Sequence, residues 1–377
     1  MSFLWEYPKL IVELLASQHS SFQMSLIFLL VCVATLAVVL WLVTREETVT
    51  LDGSEYVLIT GCDSGIGYML ANHLQKGNGR NGVFQVIATC VHPYGKSASQ
   101  LKSVGIKVVG LDFTKDNIKS FCEQVDELVG SAKLHAVVNN AGVCIMGEFD
   151  WFTDDQIDYV FTVNTGAIRL VKCLMARIMS NRTRVINLTS VNGTLAYPGL
   201  AIYCSSKYAL EGFSDALAME LAKFGVHVIK FRLGDFSNIT SIMANQKLHA
   251  DLMWHNFNEE QRAQYDAYFH AYQRVVMAQA GGLSVTKFND LMYCFDKALL
   301  SVRPRALYIS GNAIYLSILW LLTWIPEVWR NGFVAWTFQK AMQSHGVIPP
   351  VTFNYTEHNS TTNMNNSKKR HVHRVIP

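Results

Sequence analysis

The sequence predicts an α/β fold in which one doubly wound parallel sheet forms a single domain and a transmembrane helix precedes it. Two observations support this prediction. Apolar β-branched segments alternate with segments of helical periodicity through the middle of the chain, which is typical of such sheets, and an uncharged apolar run precedes them. The 377 residues are 50% hydrophobic and 16% charged, whereas an average soluble domain is about 25% charged. This composition excludes a disordered chain, and the net charge of +3 does not indicate nucleic-acid binding.

The uncharged run, residues 24–44, is interpreted as an uncleaved membrane anchor. A helix of this length reaches about 30 Å, the thickness of the bilayer core. The alternative is a secretory signal peptide, whose apolar core is usually about 7–15 residues long and follows a basic start. Here the flank, residues 1–23, contains Glu13 as well as Lys9, and Trp41 lies near the far end of the run as an interfacial residue would. The charges on the two sides do not set the orientation.

Six apolar segments are predicted to form buried strands of the parallel sheet. They are Tyr56–Thr60, Val86–Thr89, Lys107–Leu111, Ala136–Asn139, Arg184–Leu188 and Val226–Phe231. Between the fourth and fifth strands, Thr153 and Gln156 have the spacing of a capping box, which predicts the start of a long helix. In a doubly wound sheet, ligands bind beyond the carboxyl ends of the strands, where the strand order reverses.

A second apolar segment, Ala313 to Ile325, stops at Pro326 and is too short to span a bilayer comfortably. Residues 313–345 are therefore predicted to form an apolar C-terminal segment that either lies at the membrane interface or packs on the domain. Both interpretations accommodate its tryptophans, Trp320, Trp324, Trp329 and Trp336. Residues 346–377 are rich in Asn, Ser and Thr and are predicted to be a disordered tail.

A glycine-rich turn follows the first strand directly and opens a helix, Thr60-Gly61-Cys62-Asp63-Ser64-Gly65-Ile66-Gly67. Glycines at such a turn let the backbone approach a pyrophosphate, which the N–H groups and dipole of the following helix stabilise. The position after the first strand of an alternating sheet favours a dinucleotide site over an ordinary tight turn. The predicted cofactor contacts here are Gly61, Ser64, Gly65, Ile66 and Gly67.

Tyr203 and Lys207 lie on one face of a predicted helix, because residues i and i+4 are neighbours. A phenol with a pKa near 10 is a poor base at neutral pH, and a nearby ammonium group favours its ionised form. Tyr203 is therefore predicted to exchange a proton with an alcohol or a ketone while hydride passes to or from a nicotinamide, with Ser190 bonded to the same oxygen. The same spacing recurs at Tyr293 and Lys297, where it is interpreted as ordinary helix surface.

The spacing TGxxxGxG, the Asn-Asn-Ala-Gly segment that begins at Asn139 and the Ser–Tyr–Lys set together resemble the short-chain dehydrogenase/reductase family. The resemblance covers about Glu55 to Tyr308. It implies a Rossmann-like, dinucleotide-binding catalytic domain at residues 55–310.

The same resemblance assigns roles to individual residues. It implies that Asp112 meets the adenine, that Lys207 reaches the nicotinamide ribose, and that Asn164 positions a water for proton relay to Lys207. The implied catalytic set is Asn164, Ser190, Tyr203 and Lys207. The implied cofactor contacts beyond the glycine-rich turn are Asp112, Asn139, Ala141, Gly142, Tyr203 and Lys207.

Two departures from the family pattern bear on the cofactor. After the sixth strand the family usually has Pro-Gly and then a Thr that contacts the nicotinamide amide, whereas this chain has Leu233-Gly234 and, at the Thr position, Asn238, which can still bond a carboxamide. The second strand ends in Thr89-Cys90-Val91-His92, without the acid that suits the ribose of NAD or the Arg that suits the phosphate of NADP, and Ser64 is not basic. NAD is predicted as the cofactor, with NADP as the alternative.

Within the family, the chain looks most like the branch that holds retinol dehydrogenases, 17β-hydroxysteroid dehydrogenase type 2 and mitochondrial 3-hydroxybutyrate dehydrogenase, on TGCDSGIG and on Ala209–Leu221. With the anchor, this resemblance implies a membrane-bound oxidoreductase for a steroid or retinoid, in the endoplasmic reticulum in preference to a mitochondrial membrane. The region Glu259–Ala280 falls where the family has its substrate lid. Its aromatic rings either line the site or pack on the core; they belong to Tyr265, Tyr268, Phe269 and Tyr272.

Two other functions stay open at this point. One is a sensor or scaffold that binds a dinucleotide or a sterol without efficient turnover. The other is a 3-hydroxybutyrate-type hydroxy-acid dehydrogenase, which predicts an Arg-rich, acid-poor leader that residues 1–23 do not resemble. The family commonly forms homodimers through the helices that hold Asn164 and Tyr203. The eight cysteines form no CxxC pair and are predicted to be reduced, without a metal site.

Overall fold

The computed structural model describes residues 29–33, 35, 47–77, 84–236, 239–279 and 288–348. The N-terminal flank, most of the predicted anchor, Ser237, Asn238 and the tail from residue 349 lie outside the described residues. Residues 29–33 and 35 are helical. None of the helices in the described ranges is long and apolar enough to cross a membrane. The transmembrane anchor at residues 24–44 therefore stays a prediction.

The described residues form a seven-stranded parallel sheet in the order β3-β2-β1-β4-β5-β6-β7. The strands are β1 (Tyr56–Ile59), β2 (Gln85–Cys90), β3 (Lys107–Gly110), β4 (Leu134–Asn139), β5 (Arg184–Ser190), β6 (Val228–Leu233) and β7 (Leu307–Ser310). The helices that connect them are α1 (Gly65–Lys76), α2 (Lys96–Ser103), α3 (Ile118–Val129), α4 (Asp154–Asn164), α5 (Gly166–Cys173), α6 (Met175–Asn181), α7 (Ala201–Leu221), α8 (Gln246–Asn256), α9 (Glu259–Gln279) and α10 (Phe288–Leu300). After β7 follow α11 (Ala313–Thr323) and α12 (Glu327–Ser344).

The strand order confirms the predicted doubly wound, Rossmann-like sheet. The chain builds outward from β1 to β3 and then returns to β4 on the other side of β1, so the order reverses between β1 and β4. All six predicted strands are present, with boundaries that shift by a residue or two. The seventh strand, β7, was not predicted from the sequence. It is a four-residue edge strand in which Tyr308 and Ser310 are buried while Ile309 is exposed, so it lacks the continuous apolar run of a central strand.

Two apolar clusters cover the two faces of the sheet. Val57 and Ile59 of β1 point to the face covered by α1, α2 and α10, whereas Leu58 points to the face covered by α3, α5, α6 and α7. Alternate residues of a strand face opposite sides, and all three side chains are fully buried. A strand buried on both faces reads as an unbroken apolar run, which explains why these strands could be found in the sequence.

The predicted capping box is present at the start of α4. The Thr153 hydroxyl accepts a hydrogen bond from the Gln156 backbone N–H at 3.3 Å, and the Gln156 side-chain oxygen accepts one from the Thr153 N–H at 3.2 Å. The Gln156 side-chain amide also donates to the backbone carbonyl of His249 in α8 at 2.9 Å. The capping box therefore also fixes α8, which covers the carboxyl edge of the sheet.

A buried arginine joins the start of β5 to the carboxyl end of α10. Arg184 is 5% exposed, and its guanidinium donates to the carbonyls of Ala298 at 2.6 Å and Ser301 at 2.7 Å. Burial lowers the pKa of Arg184 to about 10, so the group stays charged at neutral pH. The positive charge complements the carbonyl end of the helix.

We predict that Arg184→Met lowers the free energy of unfolding by about 2–4 kcal/mol, because it leaves the two carbonyls buried without their donor. Chemical denaturation of the purified chain measures this loss. The control is Arg177→Met, which breaks a partly exposed pair with Asp126 and is expected to cost less than about 1 kcal/mol. Equal losses for the two variants would contradict the account of Arg184.

Candidate active site

A cavity of about 920 Å³ opens at the carboxyl edge of the sheet, over the point where the strand order reverses. Most of the residues predicted from the sequence line it, namely Gly61, Ser64, Gly65, Ile66, Asp112, Ala141, Gly142, Ser190, Tyr203 and Lys207. Gly67, Asn139 and Asn164 are buried around this lining. The fold therefore brings together segments that follow β1, β3, β4 and β5.

The glycine-rich turn after β1 is packed too closely for side chains. A Cβ atom on Gly67 would lie 2.4 Å from the Gly61 carbonyl oxygen and 2.5 Å from the Asn140 side-chain nitrogen. Gly61 has a φ of +71°, and a Cβ there would lie 2.8 Å from the Ala141 Cα. Only glycine fits these two positions. The turn consequently presents backbone to the cavity at the N-terminus of α1, as a bound pyrophosphate requires.

Asn140, which the sequence analysis did not single out, holds this turn against the end of β4. Its side-chain amide donates to the carbonyls of Thr60 at 2.7 Å and Gly61 at 3.0 Å. Asn139, the predicted contact, is 4% exposed and donates instead to the Asn187 side chain at 2.7 Å. Asn139 therefore supports the sheet beneath the cavity, and Asn140 lines it. The sequence indicated Asn140 only through its position, directly after Asn139.

The residues around the turn fit a dinucleotide. Thr240 lines the cavity opposite the turn, since a Cβ on Gly65 would lie 3.3 Å from the Thr240 Cα. The buried Thr240 hydroxyl has no hydrogen-bond partner among the described residues. A buried hydroxyl without a partner indicates a missing ligand or water, and a phosphate oxygen beside the N-terminus of α1 would satisfy it. Thr240 was missed because its proximity to Gly65 depends on the tertiary fold.

Asp112 lies in the cavity lining after β3. Burial alone would raise the pKa of its carboxyl, but hydrogen bonds from Thr114 and the charge of Lys115 outweigh burial and hold the pKa below its ordinary value. Asp112 is therefore ionised at neutral pH and presents an acceptor. An acceptor at this end of the cavity suits the amino group of an adenine.

A second carboxylate, Asp63 of the glycine-rich turn, reaches the end of β2. It accepts hydrogen bonds from the backbone N–H groups of Val91 at 2.8 Å and His92 at 3.0 Å, and it lines the cavity. No acid at the end of β2 could be predicted from the sequence of that strand alone. The parallel pairing of β1 with β2 brings the acid in from the neighbouring turn.

Tyr203 and Lys207 project from α7 into the cavity lining, where they are 8% and 4% exposed. The Lys207 nitrogen lies 5.7 Å from the centre of the Tyr203 ring and donates to the Leu188 carbonyl at 3.1 Å. Burial raises the pKa of Tyr203 well above its ordinary value, and a hydrogen bond with Ser190 opposes the rise. Burial also lowers the pKa of Lys207 to about 8. Burial thus favours the protonated phenol in the protein alone, and proton transfer by Tyr203 stays a prediction.

A buried ionic network fixes the end of β5, where Ser190 lies. Glu211, one helical turn beyond Lys207 on α7, accepts from the Thr189 hydroxyl at 2.7 Å and pairs with Arg232 at 2.9 Å and Lys230 at 3.0 Å. These contacts tie α7 to β5 and β6. They hold Ser190 in register with Tyr203, and the sequence analysis missed them because every partner is distant in the chain.

Asn164 is 1% exposed, and both its side-chain oxygen and its side-chain nitrogen form hydrogen bonds. It accepts from the Val143 N–H at 2.8 Å and donates to the Val143 carbonyl at 3.0 Å and to the Ser206 hydroxyl at 2.9 Å. A Cβ on Gly142 would lie 3.4 Å from the Asn164 oxygen and 3.5 Å from the Lys207 nitrogen. The structure thus brings the four predicted catalytic residues to one region, while the water relay stays a prediction.

The aromatic rings of α9 pack on the core. Tyr265, Tyr268, Phe269 and Tyr272 surround the buried Trp151, with ring centres 5.0–5.8 Å apart. From the same helix, Val276 lines the cavity. Of the two alternatives for these rings, packing on the core is therefore the observed one.

Asn238, the predicted contact for a nicotinamide amide, lies outside the described residues, whereas Leu233 and Gly234 line the cavity. All eight cysteine thiols are free. No group of His, Cys, Asp and Glu side chains in the described part of the chain could hold a metal ion.

A glycine-lined turn at the switch point of a parallel sheet, followed by a Ser–Tyr–Lys set beside the same cavity, defines the class of dinucleotide-dependent oxidoreductases. Comparison with known proteins agrees. The family profile described as short chain dehydrogenase matches residues 55–250. The chain belongs to the short-chain dehydrogenase family, and it is an NAD(P)-dependent dehydrogenase.

Curated relatives match over most of their length. The chain is 33% identical to Retinol dehydrogenase 5 of Mus musculus over 318 residues, which cover 82% of this chain and 97% of the relative. It is 34% identical to Retinol dehydrogenase 7 of Rattus norvegicus over 287 residues, 72% of this chain and 86% of the relative. A short-chain dehydrogenase structure from Burkholderia phymatum in complex with NAD shares the fold, with a TM-score of 0.57, 22% identity and coverage of 71% of this chain and 92% of that one.

Proposed function

We propose that the protein is a membrane-anchored, NAD-dependent oxidoreductase that interconverts a hydroxyl and a carbonyl group on a lipophilic substrate, a steroid or a retinoid. The observation that carries this proposal is that the Tyr203 phenol and Ser190 line a cavity that is largely apolar beside them. The side chains that supply this apolar lining are Met146, Leu200, Ile242 and Met243, which pack in the same cluster as Tyr203. The similarity to proteins named retinol dehydrogenases supports the same substrate class.

Each catalytic side chain has a distinct role in the proposed reaction. The bound nicotinamide supplies or accepts a hydride. Ser190 donates a hydrogen bond to the substrate oxygen, and Tyr203 gives a proton to that oxygen in reduction or takes it in oxidation. The Lys207 ammonium stabilises the phenolate that Tyr203 forms when it gives up its proton. Asn164 holds the backbone of Val143 beside Lys207.

The two shifted pKa values give the reduction a predictable pH dependence. Tyr203, with its raised pKa, stays protonated through neutral pH, whereas the Lys207 ammonium is lost above pH 8 because its pKa is lowered to about 8. We expect the rate of carbonyl reduction to be level below pH 8 and to fall above it. In Lys207→Arg, a guanidinium stays charged, so any remaining activity should lose this decline. A decline at the same pH in both proteins would contradict the assignment to Lys207.

NAD is the proposed cofactor, and Asp63 supports the choice. A carboxylate at the end of β2 suits the ribose hydroxyls of NAD, and its charge repels the 2′-phosphate of NADP. We predict that Asp63→Asn lowers the ratio of kcat/KM with NAD to kcat/KM with NADP by about 10–100-fold. The matched control is Asp251→Asn, an exposed carboxylate paired with Lys247, which should leave the ratio unchanged. An unchanged ratio in Asp63→Asn would contradict the proposed role.

The membrane anchor at residues 24–44 and a location in the endoplasmic reticulum belong to the same proposal. The uncharged sequence of the segment supports the anchor, and the acidic residues of the flank argue against a mitochondrial leader. The homodimer stays a prediction from family resemblance.

A short hydroxy acid is a weaker candidate substrate. Its carboxylate would need a cation near Tyr203, and among the described residues that line the cavity the basic side chains are Lys115, Lys207 and His249. Burial lowers the pKa of His249, which favours its neutral form. Lys115 pairs with Asp112 at the adenine end, and Lys207 has its catalytic position. This arrangement favours a substrate without a negative charge.

Membranes that carry the full chain test the proposal. They receive NAD or NADP with retinol, hydroxysteroids or 3-hydroxybutyrate, and fluorescence of the reduced cofactor is followed. Turnover of a lipid alcohol with NAD is the expected result. Turnover of 3-hydroxybutyrate alone would favour the hydroxy-acid enzyme. Bound dinucleotide without turnover of any alcohol would favour the sensor.

A further inference from the structure

Helices α11 and α12 carry a large uncovered aromatic surface. We call it the tryptophan face and define it by Ile314, Trp320, Trp324, Val328, Trp329 and Trp336, whose exposed fractions range from 55% to 81%. On the opposite side of the two helices, Leu322 and Val334 are buried against Leu195, and the partly buried Leu319 packs against them. The four indoles alone expose on the order of 500 Å², comparable with the whole largest apolar patch of a typical monomer. Such a surface requires a partner.

The charge pattern around the tryptophan face fits a lipid bilayer. No charged residue occurs from Ala313 through Pro326, and Arg303 and Arg305, both exposed, precede this stretch. Tryptophans at headgroup depth with nearby cations are typical of interfacial segments. As a helix of 11 residues, α11 is about 16 Å long and too short to span the bilayer. It is suited to lie in the interface.

The chain near the predicted anchor reaches the same edge of the sheet. The Val302 N–H donates to the Glu47 carbonyl, and the Val49 N–H donates to the Leu300 carbonyl, both at 2.7 Å. From Val302, the four-residue strand β7, about 13 Å long, leads to α11. The segment that follows residues 24–44 therefore lies beside the chain that enters the edge strand β7, and the tryptophan face follows the carboxyl end of the same strand. One bilayer surface can receive both.

The tryptophan face also borders the cavity. Tyr315 near the start of α11 lines the cavity, as does Tyr197, which contacts Phe338 of α12 with ring centres 5.4 Å apart. We infer that the tryptophan face lies in the headgroup layer of the bilayer that holds the anchor, and that lipophilic substrate enters the cavity from this layer past Tyr197 and Tyr315. The entry route rests on the lipophilic substrate of the proposed function, whereas the docking rests only on its membrane anchor.

Quenching of tryptophan fluorescence tests the docking without any need for turnover. The full chain is placed in phosphatidylcholine vesicles with plain or brominated acyl chains. It is compared with a variant that combines Trp320→Phe, Trp324→Phe, Trp329→Phe and Trp336→Phe, whose folding is checked by circular dichroism. We expect the tryptophan emission of the wild type to be lower in brominated vesicles than in plain ones. This loss of emission should be smaller by about half or more in the variant. An equal loss of emission in both proteins would overturn the docking, because the quenching would then come from the N-terminal tryptophans, which the variant keeps.

Kinetics with a charged variant test the entry route. Trp324→Glu combined with Val328→Glu places two carboxylates on the tryptophan face. We expect its KM for a vesicle-dissolved lipid alcohol to rise about 10-fold while its kcat/KM for a short alcohol in water stays unchanged. The control is Val104→Glu, an exposed apolar residue at the end of α2 beside the opposite edge of the sheet. An unchanged KM for the lipid alcohol would overturn the route; absence of all turnover would instead refute the proposed function and leave quenching to decide the docking.

Discussion

Tyr203→Phe is expected to lower kcat by about 10³-fold while the Kd for NAD stays within a few-fold of the wild type. The substitution removes one hydroxyl and keeps the ring, which is 8% exposed and packs with Leu200 and Cys204. The fold and the cofactor turn should therefore be intact, and the proton transfer should be lost. Steady-state kinetics together with calorimetric titration of NAD separates the two effects.

The chain provides its own control in the second Tyr-x-x-x-Lys segment. The Lys297 nitrogen lies 5.2 Å from the centre of the Tyr293 ring, close to the 5.7 Å found for Lys207 and Tyr203. Tyr293, however, is 61% exposed and does not line the cavity. Tyr293→Phe is expected to leave kcat unchanged. If both substitutions had the same effect, the catalytic assignment would be wrong.

Gly67→Ala is expected to weaken NAD binding by at least about 100-fold. Its Cβ would lie 2.4 Å from the Gly61 carbonyl oxygen and 2.5 Å from the Asn140 side-chain nitrogen. Because the first contact is with backbone, the turn itself must move, and its N–H groups would no longer converge on a pyrophosphate. Titration of NAD measures the loss.

Gly212→Ala is the matched control, since a Cβ on Gly212 in α7 meets nothing within 4 Å. It should leave NAD binding unchanged and raise the free energy of unfolding by about 0.5–1 kcal/mol, because alanine favours a helix over glycine. Normal NAD binding by Gly67→Ala would contradict the account of the turn. Thermal unfolding of both variants distinguishes a distorted turn from a chain that fails to fold.

The sheet could be predicted from the sequence because its central strands are buried on both faces. Val57, Leu58 and Ile59 each meet apolar side chains, so the strand reads as one apolar run. The edge strand β7 could not be found this way, since Ile309 is exposed while Tyr308 is buried. Local sequence does not state which face of an edge strand is covered.

The site could be predicted where its chemistry follows from spacing along one element. Tyr203 and Lys207 are one helical turn apart, and the glycines belong to one turn. The missed residues act across elements. Asp63 accepts a hydrogen bond at the end of β2, and Thr240 lies against the turn at Gly65. Glu211 bonds to side chains of both β5 and β6. The rings of α9 were undecided for a related reason, because their position depends on the buried Trp151, which lies far away in the sequence.

Transfer of deuterium from substrate to cofactor shows directly whether the protein moves hydride and whether Tyr203 is needed for it. A lipid alcohol labelled with deuterium on its carbinol carbon is supplied with NAD to membranes that carry the wild type or Tyr203→Phe, and the reduced cofactor is analysed by mass spectrometry. We expect deuterium in the NADH formed by the wild type and about 10³-fold less of it with Tyr203→Phe. Unlabelled NADH from the wild type, or equal labelling with both proteins, would contradict it.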